Sequence, residues 1–309
     1  MNQIVIDGFG LAYRSHYAFN TLTTKAGIPS GLTYGFLTGI RSVKSNYPDF
    51  HVTITWDRQA SRKKALFADY KANRPELGNR EIFSNQIDDL KEFFSYVNVS
   101  QTEVEGEEAD DVMASVARTY SQEGHLVYLF SSDKDLLQLV QDGKVIVIRP
   151  KVAGRPEKAF DEAAVFKKYK VHPRNFACYL SMRGDSSDNI PGVPRAPSKI
   201  LAGLTEKYHT PRQIYASLAD EKLTDFQRKS LLDSEAQIHI NYELVRLKDD
   251  LEFVLADGRT NVEVLESLLA KYQIKSISAQ RYSDMFEKES SFKARKAPSF
   301  ENYSLFEEE

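Results

Sequence analysis

Three short apolar runs, rich in β-branched residues, each give out at an aspartate: Ile4-Val5-Ile6 before Asp7, Val52-Thr53-Ile54-Thr55-Trp56 before Asp57, and Leu126-Val127-Tyr128-Leu129-Phe130 before Asp133. Between them lie stretches with helical spacing, among them Tyr34, Leu37, Ile40 and Val43, then Val112, Met113, Val116, Ala117 and Tyr120. Strands that alternate with helices are joined by crossovers, and crossovers make parallel sheets. In such a sheet all strands end on one edge, where ligands bind. Asp7, Asp57 and Asp133 are therefore expected side by side.

A fourth run, Val145-Ile146-Val147-Ile148, closes this region ahead of the turn from Pro150 to Pro156. From Phe160 onward the spacing reads as helices only: Asp161 caps 162–170, Pro173 opens the next helix, and periodic stretches recur near 211–218 and 225–248. The mixed-charge stretch from Glu287 to Pro298 has few large aliphatics and reads as a flexible linker. The expected architecture is an α/β core over 1–158 with a central, mostly parallel sheet flanked by helices. A helical subdomain over 159–286 and a flexible C-terminal tail over 287–309 follow.

Composition narrows the setting. A chain of 309 residues that is 41% hydrophobic and 28% charged can bury a sizeable core and is not disordered as a whole. No apolar run approaches the roughly 20 residues of a membrane helix, and no secretory signal opens the chain. The single cysteine, Cys178, excludes an internal disulfide and a cysteine zinc site and suits a reducing compartment. The expectation is a cytoplasmic monomer without membrane contact. A net charge of -3 offers a polyanion no global attraction, so any nucleic-acid contact must come from local clusters.

Acids are gathered in three places. Glu103 to Asp111 holds six (Glu103, Glu105, Glu107, Glu108, Asp110, Asp111) and no base, directly before the periodic stretch from Ala109 to Tyr120. Acids favour helix starts, but a run this dense repels itself unless a cation sits among it. Asp133 and Asp135 follow the third strand, and Asp185 and Asp188 lie three apart in Gly184-Asp185-Ser186-Ser187-Asp188-Asn189. Each pair alone also reads as a helix or turn cap. With Asp7, Asp57, Glu108, Asp110 and Asp111 they form a set of hard oxygen donors without histidine or cysteine, which selects Mg²⁺ or Mn²⁺ over zinc. Two such ions serve phosphodiester hydrolysis by water.

Arg58 to Arg74 carries Arg58, Arg62, Lys63, Lys64, Lys71 and Arg74 against Asp69 alone. This basic segment starts directly after Asp57. It is what an anionic substrate needs in order to be drawn past the acids, although a charged stretch of this kind also reads as a solvated helix.

At this point the residues carry a resemblance. In order, the chain shows Val5-Ile6-Asp7-Gly8 with Leu11-Ala12-Tyr13-Arg14, Trp56-Asp57, Tyr70-Lys71-Ala72-Asn73-Arg74, Glu105-Gly106-Glu107-Glu108-Ala109-Asp110-Asp111-Val112, Ser132-Asp133-Lys134-Asp135-Leu136, and Gly184 through Val193. These blocks resemble the 5′-nuclease domain of bacterial DNA polymerase I and its stand-alone relatives, the flap endonucleases. The resemblance implies a PIN-like 5′-nuclease core, a helix–three-turn–helix subdomain, and a basic helical arch over about 58–90. It implies a structure-specific 5′-3′ exonuclease or flap endonuclease acting with two or more Mg²⁺, or Mn²⁺ in their place, in replication, primer removal or repair. Its substrates would be DNA flaps, nicks and 5′ ends, RNA primers included.

The implied metal ligands are Asp7, Asp57, Glu108, Asp110, Asp111, Asp133, Asp135, Asp185 and Asp188. Lys71 and Arg74 would grip the scissile phosphate. DNA contacts would come from Tyr13, Arg14, Arg58, Arg62, Lys63, Tyr70, Gly192, Arg195 and Lys199, with Tyr13 stacking on a base. One departure stands out. Where the family continues with a Gly-apolar-Gly loop able to hold K⁺, this chain reads Arg195-Ala196-Pro197, and proline lacks an N–H. The potassium site loses its basis, and Arg195 and Lys199 take over with side-chain charge. In the tail, Leu305 and Phe306 resemble a sliding-clamp peptide. Two other readings stay open on sequence alone: a PIN-like ribonuclease, and a DNA-structure-binding protein whose metal site has decayed.

Overall fold

The computed structural model describes residues 1–58, 61–74, 79–151 and 156–287. Its core elements run β1 (Gln3–Asp7), α1 (Gly8–Ala18), α2 (Gly31–Asn46), β2 (His51–Thr55), α3 (Ser61–Leu66), α4 (Arg80–Ser95), β3 (Ser100–Thr102), α5 (Ala109–Gln122), β4 (Val127–Phe130) and β5 (Val145–Arg149). Then come β6 (Lys158–Phe160), α6 (Glu162–Tyr169), α7 (Phe176–Arg183), α8 (Ser198–Tyr208), α9 (Pro211–Ala216), α10 (Asp225–Val245), β7 (Ala256–Asp257), α11 (Val262–Lys271) and α12 (Ala279–Glu287).

The strands form one sheet in the order β6-β5-β4-β1-β2-β3-β7. Its five inner strands are parallel, and the two edge strands, β6 and β7, are antiparallel to their neighbours. Successive strand residues point to opposite faces. Ile4, Ile6, Tyr128, Phe130, Ile146 and Ile148 therefore pack into one core with α2 and α4, while Val5, Val127, Leu129, Val145 and Val147 enter a second core with α5 and the helical region. Helices cover both faces, which is why the strands read as unbroken apolar runs rather than alternating ones.

Three expectations need correction. The segment 58–90 is not one arch. Phe83, Ile87, Leu90, Phe93 and Phe94 form a buried stripe on α4, so that helix belongs to the core and the basic segment shrinks to the part before it. The region after Phe160 is not helices only, because β7 pairs with β3, and Ser100 lies opposite Asp257. Nor does the helical part form a unit through residue 286. Leu265, Leu269, Tyr282 and Phe286 of α11 and α12 bury themselves against the sheet face that carries α2 and α4. The two-residue β7 and the polar β3 (Ser-Gln-Thr) are too short and too hydrophilic to show a period. The tail carrying Leu305 and Phe306 lies outside the described residues.

Between α6 and β7 the chain is helical as expected. Asp161 caps α6 by accepting the Ala164 N–H at 2.7 Å, and Phe176, Tyr179, Leu180, Leu201, Leu204, Ile214, Leu231, Ile238 and Leu244 fill its core. Where α7 ends, the chain doubles back so tightly that a Cβ on Gly192 would lie 2.1 Å from the Arg183 carbonyl. Glycine is required there by contact, and Gly184 by its φ of +77°. No helix among the described residues is long and apolar enough to cross a membrane.

Candidate active site

The parallel register delivers the three strand-end aspartates to one edge. Asp7 ends β1 and caps α1: its Oδ1 accepts the Gly10 N–H at 2.7 Å and its Oδ2 accepts the Ser131 hydroxyl at 3.2 Å. The approach is close enough that a Cβ on Gly10 would lie 2.1 Å from Asp7 Oδ2. Asp57 follows β2 and accepts the Ala109 N–H at 2.6 Å, tying the β2 end to the start of α5. Asp133 follows β4 and accepts the Asp135 N–H at 2.8 Å. Asp110 projects from the first turn of α5.

These carboxyls crowd one another. Burial, then Asp57 and Asp133, push the Asp7 carboxyl up to about 6. Burial, Asp133 and Asp7 raise Asp110 well above the usual carboxylate range. Burial and Asp133, with Asp185 and Asp188 behind it, do the same to Asp135. Asp57 is raised as well, by desolvation from the surrounding chain and by Glu108, although its surface stays accessible. Among the described residues, no lysine or arginine lies within ion-pair distance of Asp7, Asp57, Asp110, Asp133 or Asp135.

The remaining acids are met by cations. Glu108 is 5% exposed and accepts from Lys63 at 2.7 Å, Lys71 at 2.5 Å and the Tyr70 hydroxyl at 3.0 Å. Burial alone would raise it; Lys63 and Lys71 win and hold it at about 2. Asp111 is fully buried between Arg62 at 3.4 Å, Lys63 at 3.3 Å and the Lys248 N–H at 2.9 Å. Asp188 accepts from Arg74 at 2.5 Å. Asp185 accepts from its own turn at Ser187 and pairs with Lys134 at 3.2 Å, which holds it below its usual range against the effect of burial.

The sheet edge passes a chemical test for a divalent cation. Its donors are hard oxygens crowded together without an ion-pair partner among the described residues, and Asp135 Oδ1 is a buried acceptor without a hydrogen-bond donor. Among the described residues no group of three or more His, Cys, Asp or Glu side chains forms a ready ion cage. The acids share an electrostatic neighbourhood rather than a fixed coordination shell.

The structure redistributes the residues expected to contact DNA. Lys63 is 3% exposed and Tyr70 4%, and both are spent on Glu108, so neither offers a surface to a duplex. Arg62 is likewise turned onto Glu107 and Asp111. Tyr13 stays 38% exposed with its ring stacked on Phe83 at 4.8 Å, and the Arg14 guanidinium lies over the Phe130 ring at 5.7 Å. Arg58 is exposed and pairs with Glu103 and Glu105. Arg195 and Lys199 are exposed at the start of α8. Arg195 has a φ of +55°, the left-handed conformation that glycine adopts freely, so the loop keeps a glycine-like bend without a glycine. Residues that sequence reasoning missed include Ser131, which donates to Asp7, and Lys248, which pairs with Glu107 at 2.5 Å. Lys248 sits at the end of a long helical stretch, where the sequence gives no sign that it returns to the acids.

Known proteins resemble the chain in sequence and in fold. Residues 2–170 match the model of the 5′-3′ exonuclease N-terminal resolvase-like domain, and residues 171–267 match the 5′-3′ exonuclease C-terminal SAM fold. A 5′-3′ exonuclease of Aquifex aeolicus is 32% identical over 88% of this chain and 92% of that protein. DNA polymerase I of Pseudomonas aeruginosa is 30% identical over 88% of this chain but only 30% of the polymerase. In fold, the chain is similar to T5 5′-exonuclease bound to zinc ions, with a TM-score of 0.65 and 20% identity over 93% of this chain and all (100%) of the other. The chain belongs to the 5′-3′ exonuclease family.

Proposed function

We propose that the protein is a Mg²⁺-dependent, structure-specific 5′-nuclease that hydrolyses phosphodiesters at DNA flaps, nicks and 5′ ends. The observation that carries this reading is the adjacency of five unpaired carboxyls on the sheet edge and the lysines and arginines of residues 58–74. An anionic substrate needs the second group to approach the first. T5 flap endonuclease, to which the chain is similar in fold at a TM-score of 0.66, was crystallised with DNA and metal ions, and the acid set here suits the same kind of substrate.

Asp7, Asp57, Asp110, Asp133 and Asp135 would hold the ions, with Glu108, Asp185 and Asp188 facing them. A divalent cation, when bound, supplies an activated water and screens charge on the leaving oxygen. Lys71 and Arg74 now rest on Glu108 and Asp188. Exchanging those carboxylates for the scissile phosphate would place two cations where charge develops. Tyr13 offers a ring on which a base can stack, and Arg14, Arg58, Arg195 and Lys199, with the tight backbone at Gly192, meet the phosphate backbone. Lys63, Arg62 and Tyr70 take a supporting role by fixing Glu108 and Asp111, which removes Asp111 from the ligand set.

The deciding experiment compares matched 5′-flap, nicked and single-stranded DNA with single-stranded RNA, in Mg²⁺ and in EDTA. Mg²⁺-dependent cutting at the flap junction, ahead of the single strands, supports the reading. Preferential RNA cutting, or DNA binding without product, refutes it.

A further inference from the structure

Nothing within residues 67–74 fixes Lys71 over the acids. The segment is a chain of single turns, closed by Tyr70 N–H to the Phe67 carbonyl, Ala72 to Asp69 and Arg74 to Lys71, and Lys71 itself sits at a φ of +59°. A lysine holds that left-handed conformation only where its surroundings over-determine it. Those surroundings are Glu108, which takes the Lys71 ammonium and the Tyr70 hydroxyl at the side-chain ends, and, along the backbone, the turn over residues 186–189. The Lys71 N–H donates to the Asp188 carbonyl at 3.0 Å, the Asn189 side-chain amide donates to the Asp69 carbonyl at 2.9 Å, and the Asn73 amide donates to the Ser186 carbonyl at 2.7 Å.

The two partners differ in rigidity. The 186–189 turn is locked on its own side. Asp185 and Ile190 exchange backbone bonds at 2.8 and 2.7 Å, Asp185 caps the Ser187 N–H at 3.0 Å, and Gly184 and Gly192 are in backbone contact beneath it. Order therefore passes from the turn to the basic segment. Asn189 suits this task because asparagine tolerates its φ of +58° while presenting an amide donor outward.

We propose that Asn189, with Asn73 opposite it, is a positioning residue that registers Lys71 and Arg74 over the carboxylates without touching substrate. This rests on the role proposed above for those two cations. The test is single-turnover cleavage of a 5′-flap duplex in Mg²⁺, with binding of the same duplex measured by anisotropy in EDTA. Asn189→Gly keeps the backbone conformation and removes only the amide; Asn73→Ala removes the partner bond from the other side. Each should slow cleavage about fivefold, the weight of one net hydrogen bond, and leave the Kd within about twofold. The cost should vanish when Asn189→Gly is placed in a chain already carrying Lys71→Ala and Arg74→Ala. An unchanged rate, or the same loss in both backgrounds, overturns the proposal. If the Lys71→Ala, Arg74→Ala chain itself cuts at the parental rate, the catalytic reading fails first and takes this inference with it.

Discussion

Glu108, Asp111 and Asp188 each meet a lysine or arginine within ion-pair distance, whereas Asp7, Asp110, Asp133 and Asp135 meet none among the described residues. The two groups lie within electrostatic reach of each other and differ in what neutralises them. In the first group the protein supplies its own cations: Glu108 and Asp111 tie the basic segment to the start of α5, and Asp188 ties it to the turn after α7. The second group stays mutually repelling, and a folded chain retains such a defect where an outside cation repays it. Dense acid clusters thus need sorting by partner before any of them is named a ligand.

The largest effect should come from isosteric neutralisation of the unpaired group. Asp133→Asn or Asp135→Asn should reduce cleavage by about a hundredfold or more while raising the melting temperature of the metal-free protein, since repulsion is relieved. Parental cleavage would break the comparison.

Next in size, Lys63→Met removes the buried cation that Glu108 and Asp111 share, leaving Glu108 to Lys71 and Asp111 to Arg62, and should cost on the order of 3 kcal/mol, read as a lower denaturant midpoint. A shift under about 1 kcal/mol would mean that Lys63 behaves as a surface cation.

Smaller, but sharper, is the pH dependence. Asp7 titrates at about 6 in the fold against 3.8 unfolded, so its contribution to stability is lost as pH rises from about 4 to 6. Glu108 runs the other way: held at about 2 against 4.5, it stabilises above about 4.5 and loses this as pH falls. Mg²⁺ should therefore raise the melting temperature more at pH 8 than at pH 5, where protonation already relieves the unpaired group. Equal shifts at both pH values would remove the distinction.

Smallest is Gly10→Ala, whose Cβ collides with the Asp7 carboxylate. It should cost about 1–3 kcal/mol, with a loss of the Mg²⁺-induced stabilisation that Gly39→Ala, on α2 away from the acids, does not show.

Much of this was legible in the sequence. The apolar runs ending at Asp7, Asp57 and Asp133 fix a parallel sheet and its ligand edge, because strand direction alone brings their ends together. Capping by Asp161 and the helices at 211–216 and 225–245 follow from local chemistry. Partner choice was not legible. Lys63 and Arg58 belong to one basic run, yet one is buried beneath Glu108 and the other faces solvent. That difference is set by the turn of α3 against α5 and α10, a tertiary fact with no local signal. The return of β7, α11 and α12 to the sheet was hidden for a similar reason: a two-residue strand has no period.

Calorimetric titration of Mn²⁺ or Mg²⁺ into the parental chain and into the Asp135→Asn and Asp111→Asn variants tests the division most directly. The account predicts that Asp135→Asn loses tight ion binding and that Asp111→Asn, wherever it remains folded, keeps the parental stoichiometry and affinity. Binding retained by the first and lost by the second would place the ion among the paired acids and contradict it.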